Sequence, residues 1–93
     1  MRHTKDKTER GFQYIDFWDH NGVSCSIQQS SLAEYEPPGT SALWLGIDRI
    51  PTGGRHDKIP AQMHLDREAV EFLSKVFARW LETGKLYQER GNK

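Results

Sequence analysis

The sequence feature that most constrains the fold is an amphipathic stretch from Asp66 to Gly84. At the spacing of an α-helix, its large apolar side chains fall on one continuous arc and its charged side chains occupy the other side. The apolar set comprises Ala69, Val70, Leu73, Val76, Phe77, Trp80 and Leu81, with Phe72 at its edge. Asp66 is suited to cap the start of the helix, and Gly84 can end it in a left-handed conformation. A helix with one apolar face needs a partner surface, which the upstream residues must supply.

Four short runs of β-forming residues precede this helix. They are separated by turn signals, among them Asp19-His20-Asn21-Gly22 and Pro37-Pro38-Gly39. The predicted strands are Phe12–Trp18, Val23–Ser30, Ser41–Ile47 and Ala61–Leu65. The sequence therefore predicts an α+β fold with the order β-β-β-β-α, in which a four-stranded antiparallel sheet carries one C-terminal amphipathic helix on one face.

The register of the first hairpin decides which side chains share a face. With a two-residue Asn21-Gly22 turn, neither face of the hairpin is cleanly apolar. With a three-residue His20-Asn21-Gly22 loop, Ile15 pairs with Ile27 and Phe17 pairs with Cys25, which gives one face suited to a core. We favour the three-residue loop, and the two-residue turn remains the alternative.

The chain of 93 residues is expected to form a single domain with flexible ends. Residues 1–11 have no apolar side chain after Met1 and are predicted to be a flexible N-terminal arm. Residues 12–87 form the α+β domain, and residues 88–93 are predicted to be a flexible tail. Within the domain, the Pro- and Gly-containing segment Asp48–Pro60 is predicted to be a long mobile loop.

Charge and cysteine content exclude several classes of function. Thirteen basic residues balance thirteen acidic ones, so the net charge of zero gives no general attraction to nucleic acid or to a membrane surface. Cys25 is the only cysteine, which excludes an internal disulfide and disfavours a structural zinc site. No apolar run is long enough to span a bilayer, and no signal peptide is evident. We expect a soluble cytoplasmic protein.

Catalytic motifs are missing from the sequence. It contains no nucleotide-binding glycine loop, no HExxH, no GxSxG and no cysteine paired with a nearby histidine. The register above places Cys25 on the apolar face, where its thiol stays protonated. We therefore predict no enzyme, no cofactor and no metal site, and a small enzyme is the least favoured alternative.

The sheet face that the helix leaves open is the predicted binding surface. It combines flat aromatic rings with hydroxyl, amide and carboxylate groups, and large exposed aromatic patches usually mark interaction surfaces. Its predicted residues are Tyr14, Asp16, Trp18, Ser24, Ser26, Gln28, Trp44 and His64, joined by Arg49 and Arg55 from the 48–60 loop.

Three interpretations of this face remain open. Two copies of the chain can associate sheet against sheet, which would make the protein a homo-oligomer. A protein partner can bind it, because Trp and Tyr dominate binding hot spots. A small aromatic ligand such as a nucleotide can stack on the rings while Arg49 or Arg55 neutralises its phosphate. A dimer groove can itself form the ligand pocket.

Three segments of the chain, in order, are similar to a group of small phage and prophage proteins. The segments are DHNGVSCSIQQSS, ALWLG and MHLDREAVEFLSKVFARWLETGKL. The group has a D-x-x-G-x-x-C-S-x-Q-x-S-S hairpin, a W-L-G strand and an M-H-L-[ST]-R-E helix start, and it has no assigned active residues. This chain has Asp66 where the group has Ser or Thr, and each of these residues can cap a helix.

The resemblance implies a phage context, in which small proteins without catalytic motifs often inhibit host defence. On that basis we predict a non-enzymatic binding protein in the host cytoplasm that sequesters a nucleotide-like immune signal in a pocket of a homo-oligomer. The alternative is a protein inhibitor that presents its aromatic sheet face to a host or CRISPR-type effector.

Overall fold

A computed structural model describes residues 2–31, 39–48 and 62–89 of the chain. It contains four strands and one helix: β1 (His3–Lys7), β2 (Gln13–Trp18), β3 (Ser24–Gln29), β4 (Leu43–Ile47) and α1 (Arg67–Thr83). The strands form one antiparallel sheet in the order β1-β2-β3-β4, with α1 on one face. The predicted fold class, an α+β fold with a four-stranded antiparallel sheet and one C-terminal helix, is confirmed.

The register of the β2–β3 hairpin is the one predicted from the apolar pattern. Ile15 pairs with Ile27, and Phe17 pairs with Cys25. The loop is His20-Asn21-Gly22, and Gly22 has a φ of +81°. That conformation favours glycine because a Cβ atom would be strained there.

The N-terminal residues are not the flexible arm that was expected from residues 1–11. His3–Lys7 forms β1, an edge strand that pairs with β2 along its whole length. All five of its side chains are exposed, so no alternation of apolar residues marks it in the sequence. β1 is held by backbone hydrogen bonds to β2, and its lysines are typical of a protected sheet edge.

The loop between β1 and β2 repeats the geometry of the loop between β2 and β3. Thr8 donates its backbone N–H to Phe12 O (2.8 Å), Gly11 donates to Thr8 O (2.9 Å), and Phe12 N–H donates back to Thr8 Oγ1 (3.1 Å). Gly11 has a φ of +92°, and Asp19 takes the place of Thr8 in the second loop. A side-chain acceptor followed three residues later by glycine is thus a loop signal present twice in the sequence.

The prediction that Ala61–Leu65 forms a strand is wrong. Ala61 lies outside the described residues, and residues 62–65 belong to no strand of the sheet. They are tied to the β2–β3 loop, where His20 N–H donates to His64 O (2.7 Å) and His64 N–H donates to Asp19 Oδ2 (2.9 Å). The predicted alternation still holds, because Met63 and Leu65 pack against the core. The loop offers one backbone N–H and one side-chain carboxylate as partners, which do not make a strand ladder.

Helix α1 has the predicted caps. The carboxylate of Asp66 accepts the N–H of Ala69 (2.9 Å), and Gly84, with a φ of +80°, donates its N–H to Trp80 O (2.8 Å). Two residues placed on the apolar arc, Val70 and Leu81, are instead exposed. The buried arc is therefore narrower than the sequence pattern indicated.

The core lies between α1 and the face of the sheet that carries the odd-numbered residues of β2 and β3. One cluster contains Ile15, Ile27, Val76 and Leu86, and a second contains Phe17, Cys25 and Leu73. From β4, Leu43 and Ile47 pack against these clusters, whereas Leu45 is exposed although it pairs with Ile27 on the same face.

Two buried glutamines fasten the segment after the helix to the sheet. Gln13 Oε1 accepts the N–H groups of Leu86 (2.7 Å) and Tyr87 (3.2 Å), and Gln13 Nε2 donates to Glu89 Oε2 (2.9 Å). Gln29 Nε2 donates to Gly84 O (2.7 Å). Glu89 is thus fixed to the sheet although residues 88–93 were predicted to be a flexible tail, and residues 90–93 lie outside the described part.

Candidate functional site

The open sheet face carries the even-numbered residues of the strands. Asp16 is opposite Ser26, Trp18 is opposite Ser24, and Tyr14 is opposite Gln28, while Gln28 is in turn opposite Trp44. These seven residues were predicted to share this face, and the strand register brings them together. The remaining three predicted site residues are not placed there by the structure.

His64, one of those three, lies beside the β2–β3 loop rather than on a strand. Its ring contacts the ring of His20 edge to face, with 4.9 Å between centroids, and His20 Nδ1 lies 3.6 Å from Asp66 Oδ2. Its position is set by the backbone bonds to the loop described above. Arg49 and Arg55 lie outside the described residues, as does most of the predicted 48–60 loop.

The aromatic side chains of the open face differ in their accessibility. Trp44, on the edge strand β4, leaves 65% of its surface exposed, the largest aromatic exposure on the open face. Trp18 is half-buried, and the guanidinium of Arg2 lies 4.5 Å from its ring centroid, close enough for a cation–π contact. Tyr14, on the same strand as Trp18, is also half-buried. Trp44 is thus the ring on this face most accessible to a partner.

Carboxylates surround these rings. Burial raises the pKa of Asp16 above its ordinary value, and the negative charges of Asp48 and Asp6 raise it further. The pKa of Tyr14 is raised by burial and by Asp6 and Asp16. Ser24 Oγ donates to Asp48 Oδ2 (2.8 Å). Asp6, Asp16 and Asp48 therefore form one acidic region, and the described face is negatively charged despite the zero net charge of the chain.

Two of these carboxylates were missed by sequence reasoning for separate reasons. Asp6 belongs to β1, which was interpreted as an unstructured arm, and it reaches the open face because it pairs with Tyr14. Asp48 directly follows β4 and continues the alternation of Trp44 and Gly46, a signal that the sequence does contain. We name the open face as the surface of Asp6, Tyr14, Asp16, Trp18, Ser24, Ser26, Gln28, Trp44 and Asp48.

Cys25 lies on the opposite side, within the core, as its predicted register requires. Its side chain is fully buried and its thiol donates to Val23 O (3.4 Å). Burial, assisted by the charges of Asp19 and Asp48, raises the pKa of the thiol to about 11. A thiol in this position is a packing group and a poor nucleophile.

We expect Cys25 to resist thiol reagents in the folded protein. At pH 8, the raised pKa alone lowers the thiolate fraction about 200-fold relative to a free cysteine with a pKa of about 8.5, and burial lowers access further. The measurement is the rate of reaction with 5,5′-dithiobis(2-nitrobenzoate), with and without guanidinium chloride. A folded-state rate within about tenfold of the unfolded rate would contradict this placement of Cys25.

Comparison with known proteins adds no assignment to this geometry. The residues described by the structure contain no group of three or more His, Cys, Asp or Glu side chains arranged to hold a metal ion. Among the same residues, no helix has the length and apolar character needed to cross a membrane. No protein-family model, curated protein or solved structure matches the chain.

Proposed function

We propose that this chain is a non-enzymatic binding protein of the cytoplasm, which contacts another protein through the open face. The observation that carries the proposal is the exposure of Trp44 on a face that also bears two further rings. An exposed indole is costly in water and contributes strongly when a partner covers it. Serine and glutamine side chains between the rings supply hydrogen bonds for such a contact.

The acidic region argues for a protein and against a phosphate on the described face. A phosphate placed near Asp16 would also meet the charges of Asp6 and Asp48, each of which opposes it by about 1 kcal/mol or more at contact distances near a protein surface. Arg2 is engaged with the ring of Trp18. A partner with exposed lysine or arginine side chains is complementary to this charge pattern.

The occupant that fits these features is a protein segment with an apolar centre and basic neighbours. Trp44 would enter the apolar part, and the carboxylates would pair with the basic side chains around it. The resemblance to phage proteins is the reason to seek this partner among host or CRISPR-type effectors. A second copy of the chain is the competing occupant, and the experiment below separates the two.

Site-specific photo-crosslinking in cells tests the proposal. We expect a photoreactive amino acid at Trp44 to give one discrete adduct with another protein, and the same amino acid at Glu82, exposed on the helix, to give none. A variant that also carries Asp16→Lys should lose the adduct, because the charge complementarity is reversed. An adduct of twice the mass of the chain would assign the face to self-association, and the absence of any adduct at Trp44 would refute the proposal.

The partner captured in this way permits a quantitative prediction for Trp44. We expect Trp44→Ala to weaken the purified complex by about 2 kcal/mol or more, or about 30-fold, because exposed interface tryptophans are typical hot spots. The variant should keep the thermal stability of the parent, since Trp44 contributes little to the core. Isothermal calorimetry measures the loss, and an unchanged affinity would contradict the role of Trp44.

A further inference from the structure

A second surface feature lies on the helix side of the sheet, between β1 and α1. It is a groove of about 260 Å³ whose floor is formed by the core residues Ile15, Val76 and Leu86. Its rim carries polar and charged side chains from the strand, the helix and the segment after the helix. The groove is on the opposite side of the sheet from the open face, so nothing in this inference depends on the function proposed there.

The charged side chains that line this groove are all cations. Lys5 comes from β1, whereas Lys75 and Arg79 come from successive turns of α1, and all three are exposed. Like charges four residues apart on a helix repel each other. In the part of the chain that the structure describes, neither Lys75 nor Arg79 forms an ion pair with a carboxylate. The fold therefore brings three cations together, and no carboxylate of the described residues is within ion-pair distance of Lys75 or Arg79.

The carboxylate of the adjoining hollow is already paired elsewhere. Glu89 lines the adjoining hollow, but its oxygens are occupied by Lys7 Nζ (3.0 Å) and Gln13 Nε2 (2.9 Å). Hydrogen bonds from Lys7 and Gln13 hold the pKa of Glu89 below its ordinary value. The adjoining hollow, of about 440 Å³, shares Arg79 with the groove and adds Lys85, so the positive surface extends beyond the groove itself.

A rigid aromatic wall completes the groove. The hydroxyl of Tyr87 donates to Asp6 O (2.8 Å), and the backbone N–H of Tyr87 donates to Gln13 Oε1 (3.2 Å). Burial and neighbouring negative charges raise the pKa of Tyr87, which keeps this hydroxyl protonated. Lys5 Nζ lies 5.8 Å from the centre of the ring. Because both ends of Tyr87 are fixed, the wall needs no ordering when a ligand binds.

We propose that this groove binds a small organic phosphate that carries an aromatic or apolar group. The guanidinium of Arg79 can bind two phosphate oxygens at once, and Lys75 and Lys5 supply further positive charge beside it. The apolar part of the ligand lies against Tyr87 and the floor of the groove. The bound anion also removes the repulsion between Lys75 and Arg79, and this favours binding.

A titration of the isotope-labelled protein with phenyl phosphate, followed by nuclear magnetic resonance, tests this inference. We expect saturable shifts at the amides of Lys75, Arg79 and Tyr87, weaker binding of inorganic phosphate, and no shifts with the uncharged analogue benzyl alcohol. Binding should weaken as the salt concentration rises, since the three cations are exposed. Absence of saturable shifts with phenyl phosphate at millimolar concentration would overturn the proposal.

Matched charge-removing variants locate the site. Arg79→Gln and Lys75→Gln should each weaken phenyl phosphate binding by about tenfold, because each removes a charge-assisted contact. Arg67→Gln removes an exposed cation from the first turn of the same helix, outside the groove, and should leave the affinity unchanged. If Arg79→Gln bound phenyl phosphate as tightly as the parent protein, the assignment of the site to this groove would be contradicted. If the protein bound only to phosphatidylglycerol vesicles, the proposal of a soluble ligand would be contradicted.

Discussion

Replacing Gln13 with leucine is expected to lower the free energy of unfolding by about 3 kcal/mol, with a fall in the melting temperature of about 12 to 24 °C. Gln13 is 1% exposed, and its amide connects β2 to the segment after α1. Leucine has a similar volume but leaves the buried N–H of Leu86 and the partly buried N–H of Tyr87 without their acceptor. The measurement is chemical denaturation followed by circular dichroism.

Gln28→Leu is the matched control for this prediction. It makes the same chemical change one strand away, on the open face, where the side chain is only half-buried and has no hydrogen-bond partner among the described residues. We expect a change of less than about 0.5 kcal/mol in that variant. Equal losses in the two variants would show that the Gln13 bonds contribute nothing specific.

The Gln13 variant should also lose the ordered wall of Tyr87 and, with it, the phenyl phosphate binding proposed for the groove.

The parts of the fold that could be predicted from the sequence are those in which apolar periodicity and local chemistry agree. Of the two loop lengths considered, only the three-residue loop puts Ile15 and Ile27 on one face, so the apolar pattern favoured the register that the structure has. Asp66 and Gly84 marked both ends of α1 because each supplies a specific cap. The same alternation placed Trp44 on the open face together with the rings of β2.

What could not be predicted depends on backbone pairing and on contacts distant in sequence. β1 buries no side chain, so the hydrogen-bonded ladder with β2 and contacts distant in sequence, such as those from Tyr87 and Glu89, hold it in place. Gln13 shares a face with Ile15, and an amide on a core face indicates a buried partner without saying which one. The groove between β1 and α1 joins Lys5 to Arg79 across most of the chain, a juxtaposition that appears only once β1 is recognised as a strand.

The other large effect is expected at Asp19, a buried carboxylate that binds three backbone N–H groups. Its Oδ1 accepts from Asn21 (2.9 Å) and Val23 (2.9 Å), and its Oδ2 accepts from His64 (2.9 Å). Asp19→Asn preserves the shape but turns one acceptor into a donor that meets the N–H of His64. We expect a loss of about 2 to 3 kcal/mol at pH 7, because hydrogen bonds to a charged group are strong and a buried donor is left unpaired.

The pH dependence of this loss distinguishes a charge effect from a packing effect. Burial is the largest influence on the pKa of Asp19 and raises it, but the bonds from His64, Val23 and Asn21 outweigh burial and the pKa is lowered. Because the pKa is lowered in the folded state, the carboxylate stabilises the protein at pH values above the unfolded-state pKa of about 3.9. That stabilisation is lost as the pH falls through the pKa of the folded state. The stability difference between parent and Asp19→Asn should therefore be constant from pH 5 to 7 and shrink below about pH 4.

Asp48→Asn is the control, because it changes an exposed carboxylate, and it should change stability by less than about 0.5 kcal/mol. A difference that persists unchanged at pH 2 would assign the loss to packing rather than to the carboxylate charge.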